Sequence, residues 1–228
     1  MKYNTILFDA DNTILDFDRA EFEALRRAFA QYGIQIDDNL VEIYRKNNVA
    51  LWQQLEKGLV TKDYVLNNRF INTAKELGLD CDILAVSRLY EEYLHEGFYV
   101  IDGAVEVITT LIDMGANLYI VTNGVLTIQN ARMKGSGVGK YFKAHFVSEQ
   151  IGYPKPQIEF FNHCFDSIQN FDKSKTIIVG DSLTSDIQGG INAGIDSCWY
   201  NPKHTQNNRG IIPTYEIDNL AQLFDIVK

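Results

Sequence analysis

The first residues in this chain equipped for chemistry are Asp9 and Asp11, two carboxylates one residue apart at the end of the apolar run Ile6-Leu7-Phe8. In an extended segment alternate residues face the same side, so the pair points one way. Two anions about 4 Å apart repel by roughly 4 kcal/mol at an effective dielectric near 20. A cation must answer them, or one must hold a proton.

Three further polar clusters follow short apolar runs: Thr122-Asn123-Gly124, Gly152-Tyr153-Pro154-Lys155-Pro156, and Gly180-Asp181-Ser182 with Asp186. Carboxylates, a hydroxyl, a lysine and backbone amides gathered at one place suit Mg²⁺-dependent phosphoryl transfer, with hard oxygens for the metal and donors for phosphate oxygens. In that chemistry Asp9 attacks phosphorus and forms an aspartyl-phosphate. Asp11 gives a proton to the leaving oxygen and later takes one from water, and its backbone carbonyl is a further metal ligand.

The elements that must position these groups are readable from the pattern. Continuous apolar, β-rich runs predict strands over 5–8, 118–121, 144–147 and 176–179, with a weaker one over 197–200. Helical patterning falls between them, over 104–114, 157–168 and 185–193. Strand and helix in alternation predict an α/β fold with a doubly wound parallel sheet, whose polar clusters all lie at one edge.

The alternation breaks after the first strand, where roughly 80 residues carry only helical spacing. Four helices are expected there, ending at Gly33, Gly58, Gly78 and Gly97 as left-handed caps. The expected division is a catalytic core over 1–16 and 98–228 and an inserted all-helical domain over 17–97. Such an insertion falls where open α/β sheets bind ligands. Asp18 with Glu21 reads as the N-terminal box of the first inserted helix. Trp52 reads as packing rather than as a platform for a nucleobase. The four histidines show no ligand spacing, and 201–213 is the most loop-like stretch.

Composition bounds the partners. A formal charge of −9 leaves no basic excess with which to neutralise a nucleic-acid polymer or an anionic membrane surface. Cys81, Cys164 and Cys198 form neither a disulfide framework nor a zinc motif, and the first residues resemble neither a signal peptide nor a membrane span. A cytoplasmic protein acting on a small phosphomonoester, as monomer or homodimer, is the expectation.

Together the motifs Asp9-Ala10-Asp11-Asn12-Thr13, Thr122-Asn123-Gly124, Lys155 and Gly180–Asp186 resemble those of the haloacid dehalogenase superfamily of phosphatases. One such motif is common by chance; four in order at strand ends are specific. The resemblance implies a Rossmann-like core with a helical cap. It implies Asp9 as nucleophile and metal ligand, Asp11 as acid/base and carbonyl ligand, and Asp181 as the third ligand of Mg²⁺. It also implies that Thr122, with Asn123 and Gly124, binds the transferring phosphate. Lys155 then balances charge on Asp9 and the phosphate, while Asp186 and Ser182 support the site from behind.

The second aspartate, Asp11, is unlike the dehalogenases and phosphonate hydrolases of that superfamily. The stretches FDADNTILDFD, NNVALWQQLEKG and GDSLTSDIQGGINAGIDSCWYN look closest to bacterial pyrimidine nucleotide 5′-phosphatases. Asn12 stands where those enzymes usually carry an acid. Two other functions compete: a phosphatase or mutase for sugar phosphates or phosphoglycolate, and a receiver-type module that stores an aspartyl-phosphate. The inserted helices and the second acid argue against storage.

Overall fold

Apolar runs that are continuous rather than alternating form strands covered on both faces. They are β1 (Thr5–Phe8), β2 (Asn117–Thr122), β3 (Ala144–Val147), β4 (Thr176–Gly180) and β5 (Asp196–Tyr200), followed by the short β6 (Tyr215–Ile217). In this computed structural model, which describes residues 1–228, they make one parallel sheet in the order β3-β2-β1-β4-β5-β6. The pleat explains why the runs are unbroken. Ile6, Phe8, Ile120 and Val179 pack on one face, whereas Leu7, Val121 and Ile178 pack on the other.

The chain divides into two compact units, Met1–Asp16 with Tyr99–Lys228, and Phe17–Phe98. The second unit is all helix: α1 (Phe17–Ala30), α2 (Asp38–Glu56), α3 (Lys62–Leu77) and α4 (Ile83–Leu94). The first unit surrounds its sheet with α5 (Ala104–Asp113), α6 (Leu126–Gly135), α7 (Ser148–Ile151), α8 (Ile158–Ser167), α9 (Gln188–Ala193) and α10 (Leu223–Val227). Val107, Ile108 and Leu111 of α5 cover one sheet face. Phe160, Phe161 and Cys164 of α8 cover the other.

Register places the chemistry. Phe8 lies beside Ile120 and Val179, so the residues that follow β1, β2 and β4 emerge at one sheet edge. Just beyond β1 the chain turns sharply, with the Ile14 and Leu15 amides both donating to the Ala10 carbonyl. Asn12 sits in that turn at φ 56°, a left-handed conformation that asparagine tolerates better than most side chains. Its presence in place of the usual acid is therefore consistent with what the backbone demands.

Several expectations are corrected. Gly33, Gly58 and Gly78 do adopt left-handed conformations, but Gly97 does not. A Cβ on Gly97 would lie 2.6 Å from Ala20 Cβ, so this glycine permits close packing beside α1 rather than capping α4. Glu21 is not part of a capping box. It is buried, its carboxylate accepting from Arg45 Nε at 2.7 Å and Asn48 Nδ2 at 3.3 Å on α2. The helix expected over 185–193 starts late, because Leu183–Ile187 forms a wide π-type turn whose Asp186 and Ile187 amides both donate to the Ser182 carbonyl. The strand β6 has no apolar run to announce it.

Trp52 packs against Leu51, Leu55 and Val65, and its indole N–H donates to Asn48 Oδ1 at 3.0 Å. Asn48 also receives Arg69 Nη1 at 3.4 Å. The helical unit thus holds a buried polar network beside its aromatic cluster of Phe29, Tyr44, Phe70 and Tyr90.

Candidate active site

At the carboxyl end of β1, Asp9 is buried, and its Oδ1 accepts a hydrogen bond from Lys155 Nζ at 2.6 Å. Lys155 comes from the segment between α7 and α8 and has no exposed surface. Its ammonium also donates to Asp186 Oδ1 at 2.6 Å and to the Val121 carbonyl at 2.7 Å. Three donors meet three acceptors, which is what a buried ammonium requires. Ligand atoms of Asp9, Asp181 and Asp186 all lie within 4.8 Å of one another.

The residues around this cluster hold it in place. The Asn123 amide is committed to the Lys155 backbone, its Nδ2 donating to the carbonyl at 2.9 Å and its Oδ1 accepting from the amide at 2.8 Å. Its side chain therefore positions the lysine. Ser182 N donates to Asp186 Oδ2 at 3.1 Å, and the Ser182 hydroxyl accepts from Ser185 N at 3.2 Å. Each Asp186 oxygen thus accepts one hydrogen bond, and through Oδ1 the carboxylate helps hold Lys155. Gly180 lies against Asp186 so closely that any side chain there would collide with the carboxylate.

Thr122 Oγ1 accepts from Gly124 N at 3.1 Å and from Gln129 Nε2 at 3.3 Å. A hydroxyl has two lone pairs and one hydrogen, so these contacts leave the Thr122 O–H free to donate. Gly124 spends its own N–H on Thr122. It also lacks a side chain where Gln129 packs against it, in space that any Cβ would fill.

Asp11 is answered differently from the expectation of a shared cation. Its Oδ1 is ion-paired with Arg132 Nη1, and its Oδ2 accepts from Gln129 Nε2; both partners lie on α6. Neither residue was singled out from the sequence. The only signal is an arginine and a glutamine three apart on the helix that follows Thr122-Asn123-Gly124.

Burial pushes the Asp9 carboxyl up to about 7, with Lys155 opposing the shift and the charges of Asp186 and Asp11 adding to it. Burial, with the charges of Asp9 and Asp186, raises Asp181 well above the carboxylate range. Burial works against the Lys155 charge, yet Asp186 and Asp9 hold that ammonium above its ordinary range. Three carboxylates with one ammonium leave negative charge uncompensated among hard oxygen donors. That donor set fits Mg²⁺, which takes carboxylates and keeps several waters. Asp9, Asp181 and Asp186 each offer such an ion a carboxylate oxygen. The histidines lie outside this group.

Residues 6–200 match the family described as haloacid dehalogenase-like hydrolase. The chain is 44% identical over 226 residues to the HAD-hydrolase YfnB of Bacillus subtilis, covering 99% of this chain and 96% of that protein. A solved structure of YfnB bound to magnesium superposes with a TM-score of 0.93 at 43% identity, covering 100% of both chains. The pyrimidine 5′-nucleotidase PynA of Streptococcus pneumoniae is 39% identical over 99% of this chain and 95% of its own length. The pyrimidine 5′-nucleotidase YjjG of Escherichia coli is 32% identical over 98% of this chain and 97% of its own.

Proposed function

This chain belongs to the haloacid dehalogenase-like hydrolases, and from that premise we propose that it hydrolyses nucleoside 5′-monophosphates through an aspartyl-phosphate on Asp9. The observation that carries the chemistry is Asp9 itself, a buried carboxylate at a central strand end, gripped by Lys155. Similarity over nearly the whole chain to two pyrimidine 5′-nucleotidases supports the substrate class.

Asp9, Asp181 and the Asp11 carbonyl would hold Mg²⁺, which when bound would supply positive charge to offset the carboxylates and the phosphate. The Asp9 carboxylate attacks phosphorus as the ester P–O bond breaks, and Asp11, having first taken up a proton from water, gives it to the departing nucleoside oxygen. Asp11 then takes a proton from water, which attacks the same phosphorus; phosphate leaves and the Asp9 carboxylate is restored. Thr122, with its hydroxyl hydrogen directed away from Gly124 and Gln129, donates to a phosphate oxygen. Lys155 offsets the charge that Asp9 and the phosphate bring together. No helix is long and apolar enough to cross a membrane.

The test is phosphate release from ribo- and deoxynucleoside 5′-monophosphates beside sugar phosphates and phosphoglycolate, in Mg²⁺ and in chelator. The expected result is Mg²⁺-dependent release, fastest from pyrimidine nucleotides, and abolished in Asp9→Asn with the fold retained. Release from sugar phosphates alone would overturn the substrate class. Normal turnover by Asp9→Asn would overturn the covalent intermediate.

A further inference from the structure

We infer that Arg132 and Gln129 of α6 are the positioning residues for Asp11, an inference that rests on the acid and base roles given to Asp11 above. Arg132 is the bulkiest side chain in the protein without solvent exposure, and it ends on Asp11. Asp11 retains 26% exposure of its side chain, and its carboxylate lies outside the cluster formed by Asp9, Asp181 and Asp186. What fixes its two oxygens is α6: Arg132 takes Oδ1 and Gln129 takes Oδ2.

The cost of this arrangement argues that it serves the site. Burying a guanidinium is unfavourable unless a well-placed partner offsets it, and a helix that merely packs on a sheet meets its needs with leucine or methionine. Gln129 is 2% exposed, and its Oε1 has no hydrogen-bond partner. Its Nε2 meanwhile reaches both Asp11 and Thr122 Oγ1. Gly124 is bare where Gln129 enters. One turn of α6 therefore ties the acid/base carboxylate to the hydroxyl assigned to the phosphate, setting the distance between the proton donor and the phosphoryl group. Removal of either tether frees Asp11 to rotate away from the leaving oxygen.

The experiment is a double-mutant cycle of Arg132→Met with Asp11→Asn, read as kcat and KM on uridine 5′-monophosphate and on p-nitrophenyl phosphate. Arg132→Met is expected to lower kcat for the nucleotide roughly 10²-fold with KM little changed, because positioned proton transfer contributes on that order. In the Asp11→Asn background it should lower kcat no further. On kcat/KM the loss should be smaller for p-nitrophenyl phosphate, whose leaving group departs without a proton. Arg132→Lys should recover much of the rate, and the thermal shift produced by Mg²⁺ should match that of the unmodified protein. Equal losses for both substrates, or a full extra loss on top of Asp11→Asn, would overturn the inference and leave Arg132 a packing residue. Where Arg132→Met fails to fold, Gln129→Leu, which removes the other tether, reads the same cycle. Unchanged turnover in Asp11→Asn alone would instead remove the premise, and the inference with it.

Discussion

Lys155 is the residue on which the site's charge balance turns. It has carboxylates 2.6 Å away on two sides and no exposed surface. Removing one partner of a buried ion pair costs about 3–5 kcal/mol, because the other charge stays buried and uncompensated. Lys155→Met, similar in length and free of charge, is expected to lose about that much stability in chelator, with Mg²⁺ restoring part of it. Denaturant unfolding in chelator and in Mg²⁺ measures both. A variant as stable as the parent in chelator would mean that Asp9 and Asp186 need no buried cation. The importance of this lysine was legible from its place between prolines after a predicted strand. Its positioning by Asn123 was not, because that amide acts through hydrogen bonds to the Lys155 backbone that spacing does not reveal. Arg132 escaped notice for the same reason: an arginine on a helix ordinarily reads as solvated, and only the tertiary structure shows that it ends on Asp11.

At the scale of the element, packing explains most departures from the pattern. Strands with unbroken apolar runs were readable because each serves two covered faces, whereas β6, with Glu216 exposed in its middle, carries no such run. The helix ends at Gly33, Gly58 and Gly78 follow from local conformation. Gly97 follows from a neighbour that sequence does not show. Its missing Cβ would meet Ala20 Cβ at 2.6 Å, a contact between two atoms fixed to backbone, with no flexible side chain to yield. Gly97→Ala is therefore expected to destabilise the protein by about 1–3 kcal/mol, the usual cost of overpacking. Ala20→Gly in the same chain should recover part of that loss by vacating the space, although it weakens α1 on its own. Thermal unfolding of the two single variants and the double closes the cycle. Simple addition of the two losses would show that the contact does not set the requirement for glycine.

For the molecule as a whole, the site stores a cost that a metal ion relieves, and pH exposes it. The Asp9 carboxyl moves from 3.8 to about 7 in the folded protein, chiefly through burial. Between those values the folded chain holds a proton that the unfolded chain has released. On this account the metal-free protein loses stability as pH rises through that window. Mg²⁺ requires the carboxylate, so it competes with the proton and binds more tightly as pH rises, by about tenfold per unit below pH 7 for each proton displaced. The stabilisation by Mg²⁺ is therefore expected to be small near pH 5.5 and larger near pH 8. Calorimetric titration in two buffers of different ionisation enthalpy should detect the released proton at the lower pH. The signs are opposite to those of an acid held ionised by a cation, whose contribution to stability is lost as pH falls. An Mg²⁺ thermal shift that does not vary between pH 5.5 and 8 would mean that Asp9 is already ionised without the metal, with Lys155 alone sufficient to hold its charge. Asp9→Asn removes the titrating group while leaving Lys155 a hydrogen-bond acceptor. The Mg²⁺ response of that variant should be weaker and should lose the part of its pH dependence that belongs to Asp9.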